Sequence, residues 1–478
     1  MPAILGANSV TGYDVDNSLL FNSADNAELS RTLGSASGEK VFSFSTWVKR
    51  SNTGGSQSNY LLYGVDGSSN SFNWYFRNDV LRLYENTAGS GGAYITTNQK
   101  FTDISAWYHI LLVYNTNEST NTNRVKIYIN GSQIAVSNLT VTNWPDEDYT
   151  NAEVVKSGNT MKIGASGSNS EDFDGYLSQT YFIDGQALAP SDFGETNDNG
   201  VWVPIKYTGT FGNNGVFLEY KQTGTSQNSS GIGADTSGND NHFAVSNFAA
   251  IDVTEDTCTN NFATMDPSNG DRQQGGAATF AEGNLQIATS YVDSNYQRYP
   301  QVYSTQAVSS GKWYFEMKIT TSDVDSFIGV HSPDNHASDS TTNPYGGYAA
   351  TGAIYTSRGA VRINDGQTTG HGTFSQNDIV GCAVDIDNNK VYFHKNGTYV
   401  QSGDPAGNSG GQAIPTGYTY GFTVGNDTAS NSGTMQANFG NPPYTISSGN
   451  NDGKYGNFEY AVPSGYYSIC TKNLAEFG

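Results

Sequence analysis

The sequence has few cysteines, no long apolar run and no export signal. Its three cysteines, Cys258, Cys382 and Cys470, are odd in number and far apart, so no disulfide framework is predicted. No apolar run is long enough to cross a membrane, and the first residues lack the basic and apolar regions of a signal peptide. We therefore expect synthesis in the cytoplasm without a signal peptide, and no membrane insertion.

Positive charge is also scarce. The chain has 23 Lys and Arg against 45 Asp and Glu, and its formal net charge of −22 is spread along the whole sequence. Binding to a phosphate backbone needs Lys and Arg gathered on one face, so no nucleic-acid partner is predicted. The acidic balance is interpreted as a means of staying soluble, including in a salty medium that screens self-repulsion.

Helical patterns are missing as well. Apolar residues do not recur at a helical spacing for more than a couple of turns, and no heptads occur. Instead, 55 glycines provide turns, while 31 tyrosines and 23 phenylalanines favour strands. The composition predicts an all-β protein, and its length fits two domains of about 200 residues each.

One pattern occurs twice. Residues 378–386 place apolar side chains at alternate positions, and residues 390–397 return with the same alternation and end in Asn-Gly. Residues 108–114 and 124–131 repeat this arrangement, again ending in Asn-Gly. Because Asn-Gly favours positive backbone φ, each copy predicts a half-buried β-hairpin whose returning strand turns again. The repetition favours two tandem antiparallel β-sandwich (jelly-roll) domains.

Strand-like alternation is lost between the two copies. We predict a first sandwich over residues 1–245, a polar connector over residues 246–290 and a second sandwich over residues 291–478. Because Phe262 and Phe280 occur in the connector, we expect it to lie along a surface rather than to be free.

Several segments of the first predicted domain occur in a recognisable order. They are residues 44–48, 107–110, 125–131 and 173–177. Together they resemble the laminin-G-like, concanavalin A-like lectin and glucanase jelly roll, over about residues 15–245. Residues 184–188, 193–196 and 201–204 are similar to the version that is common in virion structural proteins of marine bacteriophages.

The second predicted domain resembles another sandwich family. Its segments are residues 311–319, 327–330, 378–397, 420–425 and 436–440. In that order they resemble a SPRY domain, over about residues 290–478. Residues 466–470, followed by Asn473 and Leu474, also resemble the end of phage SPRY chains.

Jelly rolls of the first kind include glucanases, but their Glu-x-Asp-x-Glu motif is absent here. A retaining glycosidase needs two carboxyl groups about 5 Å apart. The pairs Asp323/Asp325 and Asp385/Asp387 have a suitable strand spacing but lie beside turns, where Asp caps the backbone. Residues 407–411 match a nucleophile-elbow string, but neither a helix nor a histidine follows them. We expect a protein that is not an enzyme.

Metal candidates are confined to one acidic segment. Glu171, Asp172 and Asp174 precede Gly175 and are calcium candidates, because laminin-G relatives sometimes hold calcium with carboxylates and carbonyls. Turn capping is the alternative role. The six histidines show no metal spacing and are interpreted as surface or hydrogen-bonded sandwich residues. No other cofactor is predicted.

Tyr345 and Tyr348 are the ligand-binding candidates from the sequence. They lie in a long polar loop where SPRY domains present partner-binding surfaces, and exposed tyrosine rings stack on sugars or anchor protein interfaces. The alternative is that these rings pack against the edge of their own sandwich.

The resemblances imply a binding function on a virus particle. We expect a non-enzymatic tail-fibre or tail-tip protein on the virion surface that binds a host surface glycan or protein. Its other partners would be virion proteins, including further copies of itself as a homo-oligomer. The alternatives are a capsid decoration or attached-fibre protein, a glycan-binding protein outside any virion, and a glycan depolymerase.

Overall fold

The computed structural model describes residues 13–67, 70–87, 91–150, 152–167, 171–268, 276–291, 301–321, 325–332, 351–363, 366–426 and 432–478. These residues form two compact units that meet in sequence between Asn260 and Asn261. None of the described helices has both the length and the apolar character needed to cross a membrane.

The first unit consists of short to medium strands. Its described strands are β1 Ser18–Phe21, β2 Glu28–Thr32, β3 Val41–Arg50, β4 Asn59–Val65, β5 Ser71–Arg77, β6 Val80–Asn86, β7 Tyr94–Thr97, β8 Trp107–Asn115, β9 Val125–Ile129, β10 Ser132–Gln133, β11 Leu139–Asn143, β12 Thr160–Ile163, β13 Gly175–Asp184, β14 Gly194–Thr196, β15 Trp202–Pro204, β16 Val216–Leu218, β17 Ala244–Ser246 and β18 Val253–Thr254. Single 3-10 turns lie at Ser23–Asp25, Asn121–Asn123, Val136–Asn138, Pro190–Asp192 and Ala250–Asp252.

Two sheets of the first unit enclose its core. The first sheet has the order β10-β9-β8-β3-β13-β1-β18, with β16 also on β13, and the second has the order β11-β7-β6-β5-β4-β12-β2-β17. Side chains such as Phe42, Trp74 and Leu112 pack between the sheets. The central strands of the first sheet are also buried on their outer side, where Tyr181 and Phe217 stack beneath residues of the 184–211 segment. Burial on both faces explains why β8 is continuously apolar from Ile110 to Tyr114.

The second unit repeats this architecture. Its described elements are β19 Gly276–Ala281, β20 Gln286–Tyr291, β21 Gln301–Val308, β22 Lys312–Ile319, β23 Ser326–His331, β24 Gly352–Thr356, β25 Val361–Ile363, β26 Gly366–Thr368, β27 Ile379–Asp385, β28 Lys390–Lys395, β29 Thr398–Tyr399, β30 Gln412–Ala413, β31 Tyr420–Asn426, β32 Gly433–Asn438, a 3-10 turn at Val400–Ser402 and the helix α1 Thr471–Phe477. One sheet has the order β19-β20-β32-β22-β27-β28-β29, with β30 on β28, and the other has the order β21-β31-β23-β24-β25-β26.

The repeated hairpins form as the sequence predicts, except that β8, β27 and β28 are buried on both faces rather than half-buried. β8 pairs with β9 and β27 pairs with β28, both antiparallel. The turn after each returning strand has positive φ at both residues, 47° and 79° at Asn130 and Gly131, and 47° and 78° at Asn396 and Gly397. All pairings between the described strands are antiparallel, so the predicted fold class is confirmed.

The predicted connector over residues 246–290 needs correction. β17 pairs with β2 and β18 pairs with β1, so the chain up to Asn260 completes the first unit. β19 and β20 pair with each other, and β20 continues the first sheet of the second unit by pairing with β32. The strands are short, and β19 is rich in small residues, so their alternation is too brief to stand out in the sequence.

Candidate ligand-binding face

The candidate site lies on the outer face of the second sheet of the first unit. On β4 to β7, inward side chains such as Leu62, Trp74 and Leu83 belong to the core. Because strand side chains alternate, their neighbours point away from it. The outward residues define a surface that we call the tyrosine face: Tyr60, Tyr63, Tyr75, Tyr84 and Tyr94, with Arg77 and Arg82.

The strand register brings these residues side by side. Tyr63 lies opposite Asn73, Asn73 opposite Tyr84, and Tyr84 opposite Tyr94. Since neighbouring strands are about 4.8 Å apart, the row across four strands is about 14 Å long. The row runs from the buried Tyr63 and Asn73 to the exposed Tyr84 and the half-buried Tyr94.

The rings are close enough to form one aromatic surface. Tyr60 stacks on Tyr75 with ring centroids 4.9 Å apart, and Tyr63 meets Tyr60 edge-on at 5.7 Å. Tyr84 and Tyr94 meet edge-on at 5.2 Å. The first three rings are buried, whereas Tyr84 is 36% exposed and Tyr94 is half-buried. The part of the face that solvent reaches most easily is therefore on β6 and β7.

Two arginines accompany these rings. Arg82 lies opposite Tyr75 in the register, and Arg77 is two residues from Tyr75 on the same strand face. Burial raises the pKa of Tyr75, while the charges of Arg82 and Arg77 act in the opposite direction. Burial raises the pKa of Tyr60 and of Tyr63, and acidic side chains toward β4 add to this effect, Glu171 on Tyr60 and Asp66 on Tyr63.

The three calcium candidates have separate hydrogen-bond partners. Asp174 accepts hydrogen bonds from the backbone N–H and the hydroxyl of Ser23, both at 2.8 Å, which is the capping role given above as the alternative. Glu171 accepts from Ser58 at 3.2 Å. Burial and the charge of Glu28 raise the pKa of Asp172 to about 6. Within the described residues, no group of three or more His, Cys, Asp or Glu side chains is arranged to hold a metal.

His109 and His394 are buried and hydrogen-bonded. Nδ1 of His109 accepts from the indole N–H of Trp202 at 3.1 Å, and its Nε2 lies 2.8 Å from the hydroxyl of Ser45. Nδ1 of His394 accepts from the backbone N–H of Gly397 at 3.2 Å, and its Nε2 lies 2.6 Å from the hydroxyl of Tyr314. Burial lowers the pKa of each to about 3, so both are neutral structural residues.

The acidic pairs considered for catalysis serve structural roles where the structure describes them. Asp325 pairs with Arg358 at 2.6 Å, and Asp385 pairs with Lys312 at 3.0 Å. Asp387 accepts from the backbone N–H of Gly311 at 2.9 Å. Asp323, like the ligand-binding candidates Tyr345 and Tyr348, lies outside the described residues.

The sequence reasoning missed Glu316 and Glu85, two buried carboxyl groups whose pKa is raised. Glu316 accepts from the hydroxyls of Tyr314 and Tyr444 and from the backbone N–H groups of Glu459 and Tyr460, at 2.9 to 3.3 Å. Burial raises its pKa. Glu85 accepts from the backbone N–H of residue 93 at 2.6 Å, and burial raises its pKa to about 7. Both are held inside their domains, so neither belongs to the tyrosine face.

The tyrosine face itself was also missed. The strands at 60–63, 71–76 and 81–84 have period-two alternation, so the outward tyrosines and arginines are visible in the sequence. Their lateral alignment is not visible, because it depends on the register between strands.

Comparison with known proteins identifies both domain types. The family model described as "Concanavalin A-like lectin/glucanases superfamily" matches residues 21–192, and the SPRY domain model matches residues 312–403. No curated protein sequence matches this chain.

Among solved structures, the SPRY domain of human HERC1 is 14% identical and covers 36% of this chain and 96% of its own, with a TM-score of 0.27. A human SPRY domain is 16% identical and covers 31% and 89%, with a TM-score of 0.23. A heptameric SAP-like pentraxin from Limulus polyphemus is 19% identical and covers 37% and 80%, with a TM-score of 0.28. TM-scores this low carry no argument about function.

Proposed function

We propose that this tandem of a concanavalin A-like domain and a SPRY domain is a non-enzymatic virion protein that binds the host surface through the tyrosine face. The observation that carries the proposal is the register that aligns outward tyrosines across β4 to β7 and leaves Tyr84 exposed at one end. Aromatic rings offer flat apolar area for stacking against sugar rings, and their hydroxyls offer hydrogen bonds. The ligand class that this surface suits best is a glycan.

Binding is favoured over hydrolysis by the residue types on the face. Glycoside hydrolysis uses two carboxyl groups that flank the scissile bond. The outward positions of β5, between Ser71 and Arg77, carry Asn73 and Tyr75, and those of β6 carry Arg82 and Tyr84. Of these, Arg82 and Tyr84 reach solvent and suit a sugar by hydrogen bonding and stacking, but none of the four supplies an acid or a nucleophile.

The virion assignment rests on the sequence resemblance to phage structural proteins over residues 184–204 and 466–474. A tail-fibre or tail-tip position suits a protein that combines two binding-type domains. Its partners would be other virion proteins, further copies of this chain and a host surface glycan or protein. A capsid decoration protein and a glycan-binding protein outside the virion are the alternatives.

Two measurements test the proposal. Peptides of this chain should be found in purified phage particles, and labelled antibodies should locate it on the tail. Absence of this chain from the particles would overturn the virion assignment, and a capsid location would favour the decoration role.

For binding, labelled full-length protein should attach to host cells, and Tyr84→Ala should weaken the attachment. Val136→Ala is the matched control, because Val136 is also a large exposed apolar residue, 42% exposed, but lies outside the tyrosine face.

A further inference from the structure

We propose that the ligand of the tyrosine face is an acidic polysaccharide, whose carboxylate or sulfate groups pair with Arg82 and Arg77. This inference rests on the proposed function of the face and specifies the chemistry of its ligand. It is carried by the hydrogen-bonding state of the two guanidinium groups, by the position of Arg82 beside the exposed ring of Tyr84 and by the distribution of charge around them.

Arg82 and Arg77 differ from three other arginines of the chain, although Arg31 likewise donates to Asn214 and Asn241 rather than to a carboxylate. Arg50, Arg124 and Arg358 each pair with a carboxylate, at 3.1, 3.3 and 2.6 Å. Among the residues that the structure describes, Arg82 and Arg77 have no such pair, although the chain carries 45 acidic residues. Nε of Arg82 is buried and has no hydrogen-bond partner in the described structure, as is also true of Nε of Arg50, while the guanidinium group of Arg82 hydrogen-bonds Tyr75. A buried donor without an acceptor is unfavourable, and a ligand oxygen would relieve this cost.

The position of Arg82 suits an anionic sugar. Arg82 and Tyr84 are two residues apart on the same face of β6, which corresponds to about 7 Å along the strand. A sugar ring stacked on Tyr84 would therefore place a substituent within reach of Arg82. The planar guanidinium offers two parallel N–H groups, a geometry that matches the oxygens of a carboxylate or sulfate.

The charge around the face is uneven. Arg82 and Arg77 lie on β5 and β6, whereas Glu171 and Asp66 act on Tyr60 and Tyr63 toward β4. The net charge of −22 opposes the approach of any polyanion, but exposed charges beyond about 8 to 10 Å are largely screened at physiological ionic strength. Local pairing at the arginines then decides which ligand is retained. Two arginines do not form the continuous basic surface that a nucleic acid requires.

The test compares two acidic polysaccharides with their neutral derivatives, using the full-length protein. One pair is a polyuronate and its carboxyl-reduced form, and the other is a sulfated galactan and its desulfated form. We expect one acidic polymer to bind at least about tenfold more tightly than its neutral derivative, as a charge-assisted hydrogen bond implies. The pair that shows the preference identifies the anionic group. Equal binding of acidic and neutral forms in both pairs would overturn the inference.

Variants show whether the preference arises at Arg82. Arg82→Gln should abolish it while retaining the weaker binding of the neutral polymer, and Arg82→Lys should restore part of it. Lys126→Gln is the control, because it removes the same charge from β9 in the other sheet. A preference that persists in Arg82→Gln would overturn the assignment of this residue. If the polymers bind but Tyr84→Ala changes no affinity, the proposed function of the face fails as well. If Tyr84→Ala weakens acidic and neutral polymers alike without any preference in the unaltered protein, only the acidic ligand class fails.

Discussion

The ammonium group of Lys49 lies 2.7 Å from the carboxylate of Asp256, and the two side chains are 1% and 0% exposed. The indole N–H of Trp107 also donates to this carboxylate, at 3.2 Å. Lys49 is on β3, near the centre of the first sheet, whereas Asp256 lies just beyond β18. The pair therefore attaches the last part of the first unit to its central strands. This part lies within the segment that the sequence predicts to be a connector.

Replacing Asp256 by Ala should destabilise the first unit strongly. The change leaves the ammonium group of Lys49 buried without its carboxylate, which costs about 3 to 5 kcal/mol. Denaturant unfolding, followed separately for the two units, measures the effect. Lys40→Ala is the control, because it breaks the exposed pair with Asp148 and should cost at most about 1 kcal/mol. Equal decreases in the free energy of unfolding of the two variants would contradict the prediction.

Stability of the first unit should fall as the pH rises from about 4.5 to 7 because of Glu85. Burial raises the pKa of Glu85 from 4.5 to about 7, so in this range the folded state holds a proton that the unfolded state has released. The free energy of unfolding should therefore be lower by about 3 kcal/mol at pH 8 than below pH 4.5.

Glu85→Gln should remove this contribution, because an amide does not titrate. The free energy of unfolding of the variant should match that of the unaltered protein near pH 4.5 and exceed it at pH 8. Asp172, whose pKa is also raised, titrates in both proteins and so cancels in the comparison. A constant difference between the two proteins across this pH range would refute the assignment to Glu85.

The two Asn-Gly turns should respond alike to substitution. Asn130 and Asn396 both have φ of 47°, and each side-chain oxygen accepts a backbone N–H at 2.8 Å, from His109 and from Ile379. Changing either to Ala combines the strain of a left-handed conformation with the loss of this hydrogen bond, a cost of about 2 to 3 kcal/mol. The Asn396 variant also loses an exposed hydrogen bond from its amide to Asp378.

Replacement by Gly separates the two contributions. Gly at either position adopts the positive φ without strain, but it still lacks the side-chain hydrogen bond. Asn→Gly should therefore cost about 1 kcal/mol. Thermal unfolding of each unit gives the comparison. Ala and Gly variants of equal stability would show that the backbone conformation of the turn is not limiting.

The contribution of Tyr84 to binding should come from its ring. Tyr84→Phe keeps the stacking area and should retain most of the affinity for a host glycan, whereas Tyr84→Ala should lose about fivefold to tenfold. Isothermal titration calorimetry with the polymer that binds best provides the affinities. A Phe variant as weak as the Ala variant would show that the hydroxyl, rather than the ring, makes the decisive contact.

Local chemistry in the sequence determined the fold class and the repeated hairpins. Alternation around Val380 and Phe393 requires one buried face, and the Asn-Gly pairs require a turn with positive φ, so both features follow from residues close together in the chain. The order of such segments also indicated the two domain types, which the family comparisons support.

Tertiary structure alone decided the end of the first unit, the surroundings of the buried charges and the tyrosine face. Asp256 meets Lys49 across more than 200 residues, and Tyr84 lies beside Tyr94 and Asn73 only in one strand register. A shift of one residue would turn each outward side chain toward the core. Because register is set by packing across both sheets rather than by neighbours in sequence, the face becomes visible only once the sandwich is assembled.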